Sequence, residues 1–195
     1  VHEIIPQLQQ FDCVAIGPGM GRFTGGEEWL KLLIGSMNGQ VLIIDADGLY
    51  FIRSLMDLVR QYKGPVVFTP HPGEMARLVN KSVKEVEENR IDIAREYAKE
   101  SHVFLLLKGH RSIIVSPDGQ VYINPLGHDA LGKGGSGDVL TGLIASFLAQ
   151  GAEPLHAMIA ASYLHARAGQ EKAKVLSHYG VMPLDIIEGI KEQLK

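Results

Sequence analysis

The densest cluster of chemistry-bearing residues in the sequence is Gly132-Lys133-Gly134-Gly135-Ser136-Gly137-Asp138, followed by an apolar, helix-patterned stretch. Glycines let a backbone approach a ligand closely, and a helix starting behind them presents unpaired N–H groups and the positive end of its dipole. Together they make an anion hole suited to a phosphate that gains charge during transfer. Gly132, Gly134 and Gly137 also satisfy a G-x-G-x-x-G spacing. That fingerprint requires a strand just before it, and residues 124–130 are polar and turn-like, so a dinucleotide-binding turn is excluded. No G-x-x-x-x-G-K-[ST] occurs, which excludes a P-loop. Asp138 opens the helix. A carboxylate there either complements the helix dipole or accepts the proton of a hydroxyl that attacks a phosphoryl group.

The other candidates also stand where apolar runs end. Val41 to Ile44 leads into Asp45-Ala46-Asp47-Gly48, and Val66 to Phe68 leads into Thr69-Pro70-His71-Pro72-Gly73-Glu74. Asp45, Asp47 and Glu74 suit Mg²⁺, directly or through water, or else serve only to solvate and turn their loops. His71, between two prolines, is rigidly displayed, for a ligand or for structure alone. Lys108 ends the run Val103 to Leu107 and is followed by Gly109, His110, Arg111 and Ser112. A basic strand end of this kind suits nucleotide phosphate or ribose; a solvated hairpin entry is the alternative. Gly17-Pro18-Gly19-Met20-Gly21 is either a tight turn or a point of close ligand approach. Cys13, Trp29, His156 and His165 lie on apolar patterns and are read as core or interface.

The elements that must position these residues follow from periodicity. Strands are predicted at Phe11 to Ile16, Val41 to Ile44, Val66 to Phe68 and Val103 to Leu107, and a hairpin at Ile113 to Val115 and Val121 to Ile123 around Pro117-Asp118-Gly119. Helices are predicted at Glu27 to Met37, with Trp29, Leu32, Leu33 and Ser36 on one side, and at Phe51 to Arg60. A capping box at Ser82 and Glu85 opens a charged helix to about Glu100. Val139, Leu140, Leu143, Ile144, Phe147 and Leu148 form one stripe of a helix ended by Gly151, and Pro154 and Pro183 open the last two helices. Continuous apolar strands separated by helices predict a three-layer α/β/α fold with a mainly parallel central sheet. In such sheets ligands bind at the carboxyl ends of the strands, where the Gly, Asp, His or Lys signal sits in four successive cases.

Composition narrows the function classes. The chain has 195 residues, 46% of them hydrophobic, and a formal net charge of −3, so no basic excess points to nucleic acid or anionic lipid. One cysteine excludes a disulfide framework and a CxxC zinc site. No apolar run is long enough to span a membrane, and no leader pattern opens the chain. A soluble, cytoplasmic protein with one domain over residues 1–195 is expected.

In order along the chain, GPGMG (17–21), DADGL (45–49), TPHPGEMARL (69–78), LLKGHRSII (106–114) and GKGGSGDVLTGLIASFLAQG (132–151) resemble the ADP- or ATP-dependent NAD(P)H-hydrate dehydratases, a branch of the ribokinase-like superfamily. His71 narrows the resemblance, because many kinase relatives carry Asn there. The resemblance implies repair of hydrated NADH or NADPH: a nucleotide's terminal phosphoryl passes to the ring hydroxyl, and phosphate is then eliminated. The motifs look more like the bacterial, ADP-using type, with Mg²⁺ as cofactor, and relatives often form homotetramers. Carried over by residue, Asp138 accepts the hydroxyl proton and contacts the hydrate, while Gly21 and His71 line the hydrate site. Lys108, Gly109, His110, Arg111, Ser112 and Gly137 bind the adenine nucleotide, and the N–H groups of Gly135, Ser136 and Gly137 hold the transferring phosphoryl. Glu74 is an indirect metal candidate.

The sequence departs from the family twice. Leu126-Gly127-His128 stands where members usually carry Thr or Ser followed by Gly-Asn. The family domain normally begins further upstream with a glycine-containing strand–helix unit, so this chain, opening Val-His-Glu, is expected to be N-terminally incomplete relative to it. Two other readings stay open: a small-molecule kinase of the same superfamily acting on a vitamin precursor or sugar, and a catalytically silent nucleotide-binding fragment.

Overall fold

Alternation along the apolar strands assigns side chains to two opposite faces of one sheet. In the computed structural model, which describes residues 3–195, six strands lie in the order β1 (Cys13–Ile16), β2 (Val41–Ile44), β3 (Val66–Phe68), β4 (Phe104–Leu107), β5 (Ile113–Val115) and β6 (Val121–Ile123). Val1 and His2, where the expected domain opens, lie outside the described residues. Strands β1 to β4 run parallel, and β5 and β6 add the predicted antiparallel hairpin. Leu42, Ile44, Val66, Phe68, Leu105 and Leu107 point to one face; Ile43, Val67, Leu106 and Ile114 point to the other.

The short α1 (Ile5–Leu8) precedes β1, and α2 (Gly26–Gly35), α3 (Ala46–Ile52), α4 (Met56–Gln61), α5 (Pro72–Leu78), α6 (Val83–Glu88) and α7 (Arg90–Ser101) supply the layer on the first face. The second face is covered by α8 (Ser136–Ala149) and α9 (Pro154–Gly180), through Leu140, Ile144, Met158 and Ala161. A last helix, α10 (Pro183–Gln193), packs on α9 through Ala168, Ile186 and Ile190. The result is the expected three-layer fold. Among the described residues no helix is long and apolar enough to cross a membrane.

Four local expectations change. In α2 two apolar stripes share Leu33, and the sheet selects Leu30, Leu33, Ile34 and Met37, so Leu32 remains 42% exposed. The helix expected from Phe51 starts at Ala46, directly behind β2, and is interrupted by a 3₁₀ turn at Arg53–Leu55. The charged helix opened by the Ser82–Glu85 capping box breaks at Asn89 (φ −129°, ψ 34°), whose side-chain amide donates to the Glu85 carbonyl. His156 is exposed, not core, because its side of α9 turns away from the sheet. Cys13 is partly buried; burial and then the charge of Asp12 push its thiol up to about 11, which keeps it protonated and unreactive.

Candidate active site

The carboxyl ends of β3 and β4 and the start of α8 border a cavity of about 630 Å³. His71, Lys108, Gly109 and His110 line it from the strand ends, and Ser136 and Gly137 line it from the helix. Ser112 is also on its wall, so seven of the residues singled out by sequence meet in one place. Gly21, Glu74, Arg111, Gly135 and Asp138 are not on that wall. Asp138 sits in the first turn of α8, exposed, within one turn of Gly137. His128, outside the sequence-stated set, lines the cavity and caps a 3₁₀ turn by accepting the Ala130 N–H at 3.1 Å.

The glycine loop reaches its helix through Gly135, which is left-handed (φ 87°) at the N-cap. A Cβ there would sit 3.0 Å from Pro183 Cγ, so both conformation and space call for glycine. The Ser136 N–H is taken by the Lys133 carbonyl at 3.1 Å, whereas those of Gly135 and Gly137 meet no acceptor among the described residues. Both N–H groups are therefore open at the start of α8. Lys133 Nζ donates to the Tyr179 carbonyl at 2.6 Å, tying the loop to the end of α9.

His165, expected in the core, is 6% exposed and supports this loop from below. Its Nε2 lies 2.9 Å from the Ser136 carbonyl and 3.1 Å from Ser136 Oγ. A carbonyl can only accept, so Nε2 carries the proton. Burial, reinforced by Lys108 and opposed by the Ser136 bond, pushes this imidazole down to about 4. The folded protein therefore holds His165 neutral where the unfolded chain, titrating near 6.5, takes up a proton. Because the unfolded state then binds more protons, stability falls as pH drops from about 6.5 towards about 4. Unfolding in urea across that range should show a shallower acid loss for His165→Gln than for the native chain. Parallel curves would remove His165 from the account.

A second network joins the strand ends. Lys108 Nζ donates to Asp45 Oδ1 at 2.8 Å, and Thr141 Oγ1 on α8 donates to Asp45 Oδ2 at 2.8 Å. Asp45 is 1% exposed, so this carboxylate is satisfied wholly inside the protein. Glu74 Oε2 is 3.9 Å from Lys108 Nζ and accepts the His71 N–H at 2.8 Å. His71 Nδ1 accepts from the N–H groups of Gly73 and Glu74 at 3.0 and 3.3 Å, capping α5. Its proton is thus on Nε2, 3.3 Å from Glu74 Oε1. Burial foremost, and the Lys108 and Arg77 charges, hold His71 below its ordinary value against the pull of Glu74.

Asp47 accepts from the Gly21 N–H and from Arg22, both at 3.1 Å, which places Gly21 beside β2. Among the described residues no group of three His, Cys, Asp or Glu side chains could hold a metal ion.

A family model described as NAD(P)H-hydrate dehydratase matches residues 1–192. The chain belongs to the NAD(P)H-hydrate dehydratase family. It is 40% identical over 185 residues to a bifunctional NAD(P)H-hydrate repair enzyme of Moorella thermoacetica, covering 95% of this chain and 35% of that protein. It is 34% identical over 168 residues to the ADP-dependent (S)-NAD(P)H-hydrate dehydratase of Bacillus subtilis, covering 84% and 57%. A crystal structure of the Bacillus subtilis ADP/ATP-dependent NAD(P)H-hydrate dehydratase, co-crystallized with ATP/Mg²⁺, superposes with a TM-score of 0.82 at 30% identity, over 93% of this chain and 63% of that one. The chain therefore spans about a third of the bifunctional relative and little over half of the dehydratase. A hydroxyethylthiazole kinase from Pyrococcus horikoshii, at 19% identity and a TM-score of 0.75, shares the fold.

Proposed function

We propose that the protein dehydrates hydrated NADH or NADPH at the expense of ADP or ATP. The observation that carries this reading is the meeting, on one cavity, of Gly137, whose N–H is open at the start of α8, with His71 and Lys108 at neighbouring strand ends, beside Asp138 in the first turn. A helix N-terminus behind glycines favours a phosphoryl group. The nucleotide lies along Lys108, Gly109, His110, Arg111 and Ser112, and the hydrate lies towards Gly21 and His71. Asp138 accepts the proton of the ring hydroxyl as its oxygen bonds to the terminal phosphorus. The bond to the leaving nucleotide breaks, releasing AMP or ADP. The ring C–O bond then breaks with loss of phosphate, driven by the ring nitrogen lone pair, and the neighbouring carbon gives up a proton to restore the double bond. Phosphate leaves far better than hydroxide, which is why phosphoryl transfer comes first.

The neutral state and fixed tautomer of His71 suit it to orient a polar hydrate without adding charge. Mg²⁺ is part of the proposal as a companion of the nucleotide phosphates. The residues present do not fit direct ligation: both Glu74 oxygens face His71, so Glu74 could meet the ion through water only. A single dehydratase domain, acting as a homo-oligomer in the cytoplasm, completes the reading.

The test follows the absorbance of reduced nicotinamide with hydrated NADH, Mg²⁺ and either ADP or ATP. Recovery that requires nucleotide supports the proposal and identifies the donor. A stable phosphate ester would replace it with a kinase, and nucleotide binding without turnover would replace it with a silent module.

A further inference from the structure

Arg90 is the first residue of α7, where a cation opposes the helix dipole, and only 15% of its side chain is exposed. Local rules do not explain it. Its guanidinium reaches across to the segment behind β4: Nη1 donates to the His110 carbonyl at 3.0 Å, and Nη2 to the carbonyls of Lys108 and Leu107 at 3.2 and 3.4 Å. The nearest carboxylate, Glu87, is 3.8 Å from Nε, and Nε itself is buried without a hydrogen-bond partner. Three of the five N–H donors of this group are thus spent on one segment.

That loop has an unusual backbone. Gly109 is at φ +148° and Arg111 at φ +58°, and a Cβ on Gly109 would lie 2.7 Å from Arg90 Nη2. Turning three carbonyls towards one external cation leaves the other side of the segment, where Gly109, His110 and Ser112 line the cavity, available to a ligand. A planar fork can hold such a set of carbonyls; a lysine ammonium on a flexible stem cannot hold them in one geometry. The break of the helix at Asn89 is what places Arg90 at this point.

We infer that Arg90 is a positioning residue for the adenine nucleotide: it holds residues 108–112 in the conformation that receives it, without touching the reacting atoms. This rests on the reading of 108–112 as the nucleotide loop. The full chain carrying Arg90→Lys or Arg90→Met is compared with the native chain by amide hydrogen exchange, ADP and ATP calorimetry, and steady-state kinetics.

The expected result for both variants is faster exchange confined to residues 108–112 and a nucleotide Kd and KM raised roughly 10- to 100-fold, the scale of losing hydrogen bonds to a charged group. The hydrate KM stays unchanged and kcat changes little, and Arg90→Lys does not rescue, since charge without the fork is insufficient. Unchanged exchange in the loop overturns the inference whatever the ligand. So does equal weakening of hydrate and nucleotide, which marks a merely structural role, and so does full rescue by lysine. Faster loop exchange with an unchanged nucleotide Kd overturns it too, and places the fault in the assignment of the loop. Failure of the native chain to bind nucleotide sinks the functional reading itself.

Discussion

An Asp138→Ala protein is expected to bind adenine nucleotide as the native chain does and to lose about 10²–10⁴-fold in kcat, the contribution of a positioned general base. Asp138 is exposed at the start of α8 and makes no ion pair or side-chain hydrogen bond among the described residues. Nothing in the fold is held by its carboxylate beyond a favourable interaction with the helix dipole. Stability should therefore stay near the native value, and the open N–H groups of Gly135 and Gly137 should still hold phosphate. Asp138→Asn should behave alike, since an amide keeps the shape but cannot accept the proton. Calorimetry with ADP beside single-turnover kinetics separates the two effects. Native kcat in either variant would show that this carboxylate serves only the dipole, and a collapse of nucleotide affinity would show that it serves binding.

Lys108→Met should act oppositely, through the fold. Asp45 is 1% exposed and shares its two oxygens between Lys108 and Thr141. Removing the amine strands a buried carboxylate, and breaking a buried pair from one side costs about 3–5 kcal/mol. Adding Asp45→Asn removes the stranded charge, so the double variant should regain much of that stability. It should not regain nucleotide affinity, because Lys108 lines the cavity and its charge is gone. Asp45→Asn alone should be milder, since Glu74 Oε2, 3.9 Å from Lys108 Nζ, remains to face the amine. Chemical unfolding of the three variants supplies the cycle. A Lys108→Met protein as stable as the native one would contradict the description of this network.

The glycine-rich loop and the strands were legible in the amino-acid order because their signals are local. The run Val41–Ile44 is apolar at every position and bounded by turn residues, as befits a short strand covered on both faces. Gly132 to Asp138 declares a helix start through residue types alone. The end of α8 at Gly151 (φ 86°) and the starts of α9 and α10 at prolines were readable for the same reason. The Ser82–Glu85 box was equally readable, but the break at Asn89 was not, since asparagine is compatible with both outcomes. His71 offered a near-miss: His-Pro-Gly-Glu has the spacing of a capping box, with a histidine in the place of serine, and the structure forms it.

What the sequence by itself determined is the set of strand ends, the glycine loop, and the family those motifs indicate. Which stripe of α2 is buried, which carboxylates stay exposed and which face a lysine, and where Arg90 reaches were decided only by tertiary structure. Asp45 and Thr141 are 96 residues apart in the chain, and Asp45 and Lys108 are 63 apart. Their pairing exists because β2 and β4 flank β3 in one sheet while α8 crosses their ends. A carboxylate at a strand end looks the same in sequence whether it awaits a metal or is already neutralised. Burial and the partner brought in by packing make that choice, and neither is a property of the residue or its neighbours along the chain.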